Sequence, residues 1–200
     1  MINKDEVLEN KEKFISLISE ITREGFNKEG LLKKLNDSDF FTTPASTQYH
    51  NCFEGGLCLH SLNVYDQLNK LIIMENMSEQ IDKNSILITS LLHDISKMNF
   101  YESSERNTKD EKGNWIKVPF IKVKDNKDRF LYGNHEMNSL YMIETFIPLS
   151  IEESVAILHH MGGKSYDSSQ EDITPIFNRY SLSILLHTAD LLATFINERI

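Results

Sequence analysis

Apolar residues recur at helical spacing along most of the chain. Over 4–22, Val7, Leu8, Phe14, Ile15, Ile18 and Ile21 stand among charged residues, the pattern of an amphipathic helix with one buried face. Leu31, Leu32 and Leu35 predict a shorter helix after it. The polar stretch 36–53, interrupted by Pro44, predicts a long loop. Gly55-Gly56 then punctuates the chain before Leu57, Val64, Leu68 and Leu71 mark another helix, with His60 near its start. Residues 84–98 are apolar almost all round (Ile86, Ile88, Leu91, Leu92, Ile95), as in a central helix covered by its neighbours, and His93-Asp94 lies near its end. Periodicity returns over 135–147 and stops near Pro148. Ser150 followed by Glu153 has the capping-box spacing of a helix start, and Gly162-Gly163 is the matching stop. Leu182 to Ile196 forms the last apolar pattern. The fold class predicted is all-α.

One segment departs from this pattern. Residues 99–132 carry 8 Lys/Arg and 6 Asp/Glu, so they are net +2 in a chain of charge -9 whose remainder is -11. Within them Trp115-Ile116-Lys117-Val118 and Ile121-Lys122-Val123-Lys124 partly alternate, and Lys112-Gly113-Asn114 is a turn signal, which predicts an inserted irregular or β-hairpin segment. No repeat or composition shift marks a second domain. The expected organisation over 1–200 is a single domain, with a helical extension at 1–46, a core at 47–198 and the insert at 99–132.

An acidic balance argues against binding duplex DNA or an anionic membrane, both of which depend on clustered Lys/Arg. No apolar run reaches the roughly 18 residues of a membrane span, and the first residues lack the basic-then-apolar layout of a signal peptide, so a cytoplasmic location is expected. Cys52 and Cys58 have no CxxC spacing and are read as reduced thiols without function.

All seven histidines fall between positions 50 and 187: His50, His60, His93, His135, His159, His160 and His187. Imidazole nitrogen combined with carboxylate oxygen suits a divalent transition metal such as Mn, Fe, Co, Ni or Zn. The order His60, His93-Asp94, His135, His160, Asp190, together with the phrases Gly55-Gly56-Leu57-Cys58-Leu59-His60-Ser61, Leu91-Leu92-His93-Asp94-Ile95-Ser96-Lys97 and His187-Thr188-Ala189-Asp190, resembles the HD superfamily of metal-dependent phosphohydrolases over roughly 47–198. Ser96 stands where glycine is typical after the doublet. The run His50 to Leu57 is also similar to the HD domain of some bacterial 3′-to-5′ exoribonucleases. The insert, with Arg106-Asn107, Gly113-Asn114-Trp115 and Tyr132-Gly133, resembles that of phage and bacterial HD hydrolases of unassigned substrate.

The resemblance implies a helical bundle in which His60, His93, Asp94 and Asp190 hold one metal. Two further histidines between the doublet and the last Asp imply a second ion with Asp94 bridging. His135 is one of these, and the other is His159 or His160, with His160 favoured because it directly precedes the end of its helix. The function expected is hydrolysis of a phosphodiester or phosphoanhydride in a nucleotide, a cyclic dinucleotide or a short single-stranded oligonucleotide. The alternatives are a mononuclear phosphatase of nucleoside mono- or triphosphates, and a nucleotide- or protein-binding module with a non-catalytic metal. Asp94 and Lys97 are the expected catalytic residues, Lys97 offering its ammonium to a phosphate oxygen from three residues beyond Asp94. His50, His159, Arg106 and Lys122 are expected to contact substrate. Arg106 and Lys122 would do so with Lys109, Arg129 and Trp115 as part of a basic lid over the centre. His187, one turn before Asp190, is read either as orienting a ligand or as a core histidine.

Overall fold

The computed structural model describes residues 2–129, 131, 133–163 and 172–198. Among them are eight α-helices: α1 (Lys4–Ser19), α2 (Lys28–Asn36), α3 (Gly56–Met74), α4 (Lys83–Leu92), α5 (His135–Glu144), α6 (Ile151–Leu158), α7 (Thr174–Arg179) and α8 (Ser181–Leu192). An antiparallel hairpin, β1 (Tyr101–Lys109) and β2 (Trp115–Val123), is inserted between α4 and α5. The chain is thus mostly α with an inserted hairpin, the class its apolar pattern predicts. No helix among the described residues is long and apolar enough to cross a membrane.

Helix starts follow local chemistry. Asn3 and Glu6 cap α1 reciprocally, and Ser150 and Glu153 do the same for α6, each pair satisfying two otherwise orphaned N–H groups. Asp82 caps α4 and Asn134 caps α5. Glu153 has a second role. Its carboxylate, fully buried, accepts from Arg23 Nη2 at 2.7 Å and Ser85 Oγ at 2.6 Å, tying the segment after α1 and the start of α4 to the start of α6.

Phe14 of α1 packs on Phe40 and Phe41 of the following loop, with ring centroids 5.0 and 5.8 Å away. These rings join Leu57, Leu62, Leu87, Leu91 and Ile157 in one core cluster. Val64, Leu68 and Ile72 join Leu182, Leu186 and Ala189 in a second. Helix α3 therefore contributes to both clusters, and buried His60 lies among its first-cluster residues, between Cys58 and Leu62. The close approach of the 36–53 loop to the start of α3 depends on Gly56, where a Cβ would fall 2.0 Å from the Asn51 carbonyl oxygen.

Several boundaries differ from the sequence pattern. The first helix stops at Ser19, and Ile21 is buried without being helical. The central helix stops at Leu92, and Ile95–Lys97 form a 3₁₀ turn. The helix after Ser150 stops at Leu158, short of the two glycines. The last helix widens into a π turn over Ala193–Asn197. In the insert, both alternating segments, as far as Val123, lie in the single strand β2. Its partner β1, Tyr101-Glu-Ser-Ser-Glu-Arg-Asn-Thr-Lys109, has no apolar alternation to announce it. The turn is built by Asp110, whose carboxylate accepts from the N–H groups of Lys112 and Asn114, and by Gly113 at φ +81°.

Candidate metal centre

Five helices deliver the six expected ligands, four of which, His93, Asp94, His135 and His160, stand at or just beyond a helix end. His60 comes from the first half of α3, His93 caps the C-terminus of α4, His135 opens α5, His160 follows the end of α6, and Asp190 lies on α8. Two adjacent residues in a continuous helix diverge by about 100°, so His93 and Asp94 cannot both face one point from within α4. The helix ends first: Asp94 sits at φ -108°, ψ 15°, the bridge region between helix and strand, and both side chains reach the centre. His159 takes the same kind of conformation, φ -113°, ψ 17°, and the chain turns His160 inward.

Asp94 is the hub, and its two oxygens face different sets of residues. Oδ2 lies 3.7 Å from His60 Nε2 and 3.6 Å from His93 Nε2, while Oδ1 lies 3.5 Å from His135 Nε2 and 3.6 Å from His160 Nε2. Asp190 Oδ1 is 3.2 Å from His60 Nε2. The ligand atoms of His60, His93 and Asp94 lie within 4.8 Å of one another, and so do those of Asp94, His135 and His160.

The far nitrogen of three of the four histidines, His60, His93 and His160, is held by a hydrogen bond. His93 Nδ1 donates to Ser90 O at 2.9 Å, and His160 Nδ1 donates to Ile157 O at 2.6 Å. His60 Nδ1 is 3.1 Å from Glu198 Oε1, and His135 Nδ1 is 3.4 Å from Glu136 Oε2. Carbonyl and carboxylate oxygens only accept, so at His60, His93 and His160 a proton is held on Nδ1 and Nε2 is turned to the centre, as metal-binding imidazoles require. Asp94 Oδ1, His135 Nε2 and His160 Nε2 are buried there without a hydrogen-bond partner. Each such orphan costs about 1–3 kcal/mol, a cost a divalent cation between them would relieve. The residues present therefore fit a metal.

Electrostatics agree with that donor set. Burial by itself would raise the Asp94 carboxyl, but Lys97, His93, His160 and His135 hold it well below the ordinary carboxylate value, and His60 does the same for Asp190. Burial pushes His93 down to about 4 and His135 down to about 3, so both are neutral and free to ligate. Burial is outweighed at His60, which Asp190 and Glu198 raise to about 10, and at His160, which Asp94 raises. A metal would displace a proton from His60.

A cavity of about 540 Å³ opens over His60, Asp94, Lys97, His160 and Asp190. Lys97 Nζ donates to Asp94 Oδ2 at 2.6 Å. His50 lines the cavity with both ring nitrogens buried and unpartnered, and burial keeps it neutral by pushing it down to about 4. Exposed Tyr49, Met161, Leu191 and Phe195 give the cavity an apolar wall. His187 also lines it and donates from Nδ1 to His160 O at 2.6 Å, which helps hold the ligand's backbone.

The other expected substrate contacts are elsewhere. Half-buried His159 is not among the cavity-lining residues, and Arg106 and Lys122 stand on the hairpin, Arg106 over the Phe120 ring and Lys122 2.8 Å from Glu102. Trp115 is exposed beside Lys109, and Arg129 packs on Phe100 near the hairpin base. Tyr132, one of the insert residues carrying the resemblance, lies outside the described residues. Glu198 was absent from the sequence reading, as were the apolar wall residues.

A helical array gathers histidines and aspartates from five elements around one buried carboxylate, a cluster that could hold a divalent metal. The HD domain family matches residues 59–179, more than half of the chain, and the chain belongs to that family. The match ends before Asp190, whose place beside His60 the structure supplies. No curated protein and no solved structure matches the chain. HD domains bind divalent metals and are in general metal-dependent phosphohydrolases, though some lack activity.

Proposed function

We propose that the chain is an active phosphohydrolase with a two-ion centre bridged by Asp94, and that it cleaves a phosphodiester or phosphoanhydride in a nucleotide, a cyclic dinucleotide or a short single-stranded oligonucleotide. The observation that carries this reading is the division of ligands between the two Asp94 oxygens, with His60, His93 and Asp190 grouped on one side and His135 and His160 on the other. Bound there, two divalent cations supply charge neutralisation of the phosphate and an acidified water.

The protein's own groups do the rest. Lys97, at the cavity floor, brings an ammonium that can turn from Asp94 Oδ2 to a non-bridging phosphate oxygen, where negative charge grows in the transition state. Neutral His50 can donate one N–H to a substrate oxygen. Tyr49 and Phe195 offer aromatic faces to an organic group attached to the phosphate. The hairpin bearing Arg106 and Lys122 leaves the bundle just after Lys97 and returns at His135, so a longer anionic substrate seated in the cavity lies along its base.

The test is turnover of a panel of aryl phosphodiesters, nucleotides, cyclic dinucleotides and short RNAs by wild type and Asp94→Ala with Mn²⁺ added. Wild type is expected to hydrolyse at least one phosphodiester or anhydride, and Asp94→Ala none. Release of phosphate from monoesters alone supports the mononuclear phosphatase. Tight nucleotide binding with no turnover supports a binding module.

A further inference from the structure

Helix α8 does not end where its apolar pattern weakens. It widens over Ala193–Asn197, and Glu198 N donates to Ala193 O, the i to i-5 bond of a π turn. Such turns recur at functional sites because they shift every later side chain by one residue's rotation, about 100°. Here the shift carries the Glu198 carboxylate into the protein, where its side chain is only 1% exposed. Both its oxygens lie close to His60 Nδ1, at 3.1 and 3.2 Å, and Oε1 also accepts from Asn63 Nδ2 at 2.9 Å. One residue earlier, Asn197 Oδ1 accepts from Gln67 Nε2 at 2.6 Å. His60, Asn63 and Gln67 share one face of α3, so the π turn is stapled along the helix that supplies the first ligand.

Among the four expected histidine ligands, His93 and His160 use a backbone carbonyl to hold Nδ1, and the carboxylate beside His135 stands at 3.4 Å. His60 has a buried carboxylate at hydrogen-bond distance, a stronger acceptor that both orients the ring and raises the donor strength of Nε2.

We propose that Glu198, delivered by the π turn and braced by Asn63, is a positioning residue that orients the His60 ring and strengthens Nε2 as a metal donor. The proposal rests on the metal-binding part of the reading above and on none of its substrate chemistry.

Metal-free wild type, Glu198→Gln, Glu198→Ala and Asn63→Ala are titrated with Co²⁺ against a chromophoric chelator, and the melting temperature of each metal-free protein is recorded. Glu198→Gln keeps an oxygen acceptor but loses the charge, and it is expected to bind Co²⁺ about tenfold more weakly; Glu198→Ala loses both and is expected to fall about 100-fold, with an altered Co²⁺ absorption band. Asn63→Ala releases only the brace and gives a smaller loss in the same direction. If Glu198→Ala does not fold, Glu198→Gln and Asn63→Ala decide. A dissociation constant in Glu198→Gln within about threefold of wild type overturns the proposal, as does weakening fully accounted for by a fall in the metal-free melting temperature. Wild type that takes up no Co²⁺ overturns this proposal and the metal reading together. Wild type that shows the Glu198 dependence yet hydrolyses no phosphate ester overturns only the hydrolase.

Discussion

Lys97 and Asp94 are three residues apart across a 3₁₀ turn, and the ammonium occupies Asp94 Oδ2, the oxygen that also faces His60 and His93. Burial alone would lower Lys97, but Asp94 raises it above the ordinary lysine value, so its charge is present throughout the working pH range. Lysine and a cation on the His60 side therefore compete for the same oxygen. Removing the ammonium should not weaken metal binding, whereas a phosphate oxygen would lose its charged partner. Lys97→Ala is expected to hold Mn²⁺ as tightly as wild type or more tightly, while kcat on a phosphodiester falls by about 10²–10³-fold. Equilibrium dialysis beside steady-state kinetics checks both halves. Weaker Mn²⁺ binding in the variant would mean that the lysine supports the metal site and not the substrate.

At the scale of the elements, the bundle is aligned by the pair of buried Glu153 and half-buried Arg23, which joins the starts of α4 and α6 to the segment after α1. Arg23→Ala leaves a fully buried carboxylate without its cation and is expected to destabilise the protein by about 3–5 kcal/mol at neutral pH. Burial alone would raise the Glu153 carboxyl, but Arg23, Ser85 and the Ser150 N–H hold it below its ordinary value. Its contribution is therefore complete above the ordinary glutamate range, about pH 4–5, and is lost as pH falls through the lowered folded value. Denaturant melts across pH 3–7 should show that acid-dependent loss in wild type and a flatter profile in Arg23→Ala; equal slopes would remove Glu153 as its source. The Ser150–Glu153 cap was legible because its signal is local. So were the helices whose apolar spacing reports one buried face, and the histidine order on which the site was drawn. The pairing of β1 was not legible, since its polar residues face solvent on a two-stranded hairpin with little apolar face to bury. Glu198 was hidden for a different reason. An unbroken α-helix places the residue seven after Asp190, Asn197, on the same face, and only the π turn exchanges that residue for the eighth.

Across the whole molecule, the expected ligands run from His60 to Asp190 and come from five helices, so an ion at Asp94 cross-links elements whose apolar clusters otherwise meet through α3, α4 and α6. Without an ion, Asp94 Oδ1, His135 Nε2 and His160 Nε2 are buried with nothing to bond, and the carboxylates of Asp94, Asp190 and Glu198 are gathered in a chain already at -9. The unfolded chain cannot assemble this geometry, so metal binding adds to folding stability by mass action. At a free metal concentration about 1,000-fold above its dissociation constant the gain is about 4 kcal/mol. For a chain of this length each kcal/mol moves the melting temperature by about 2–4 °C, which predicts a rise of about 8–16 °C on loading Mn²⁺ into chelator-treated protein. Asp94→Ala should show little of that rise, because the carboxylate between the two ligand sets is gone. Thermal melts of both proteins with and without EDTA measure it. A wild-type melting temperature unmoved by either chelation or Mn²⁺ would mean that the buried His/Asp cluster is held by the fold alone, and the metal centre would have to be given up with it.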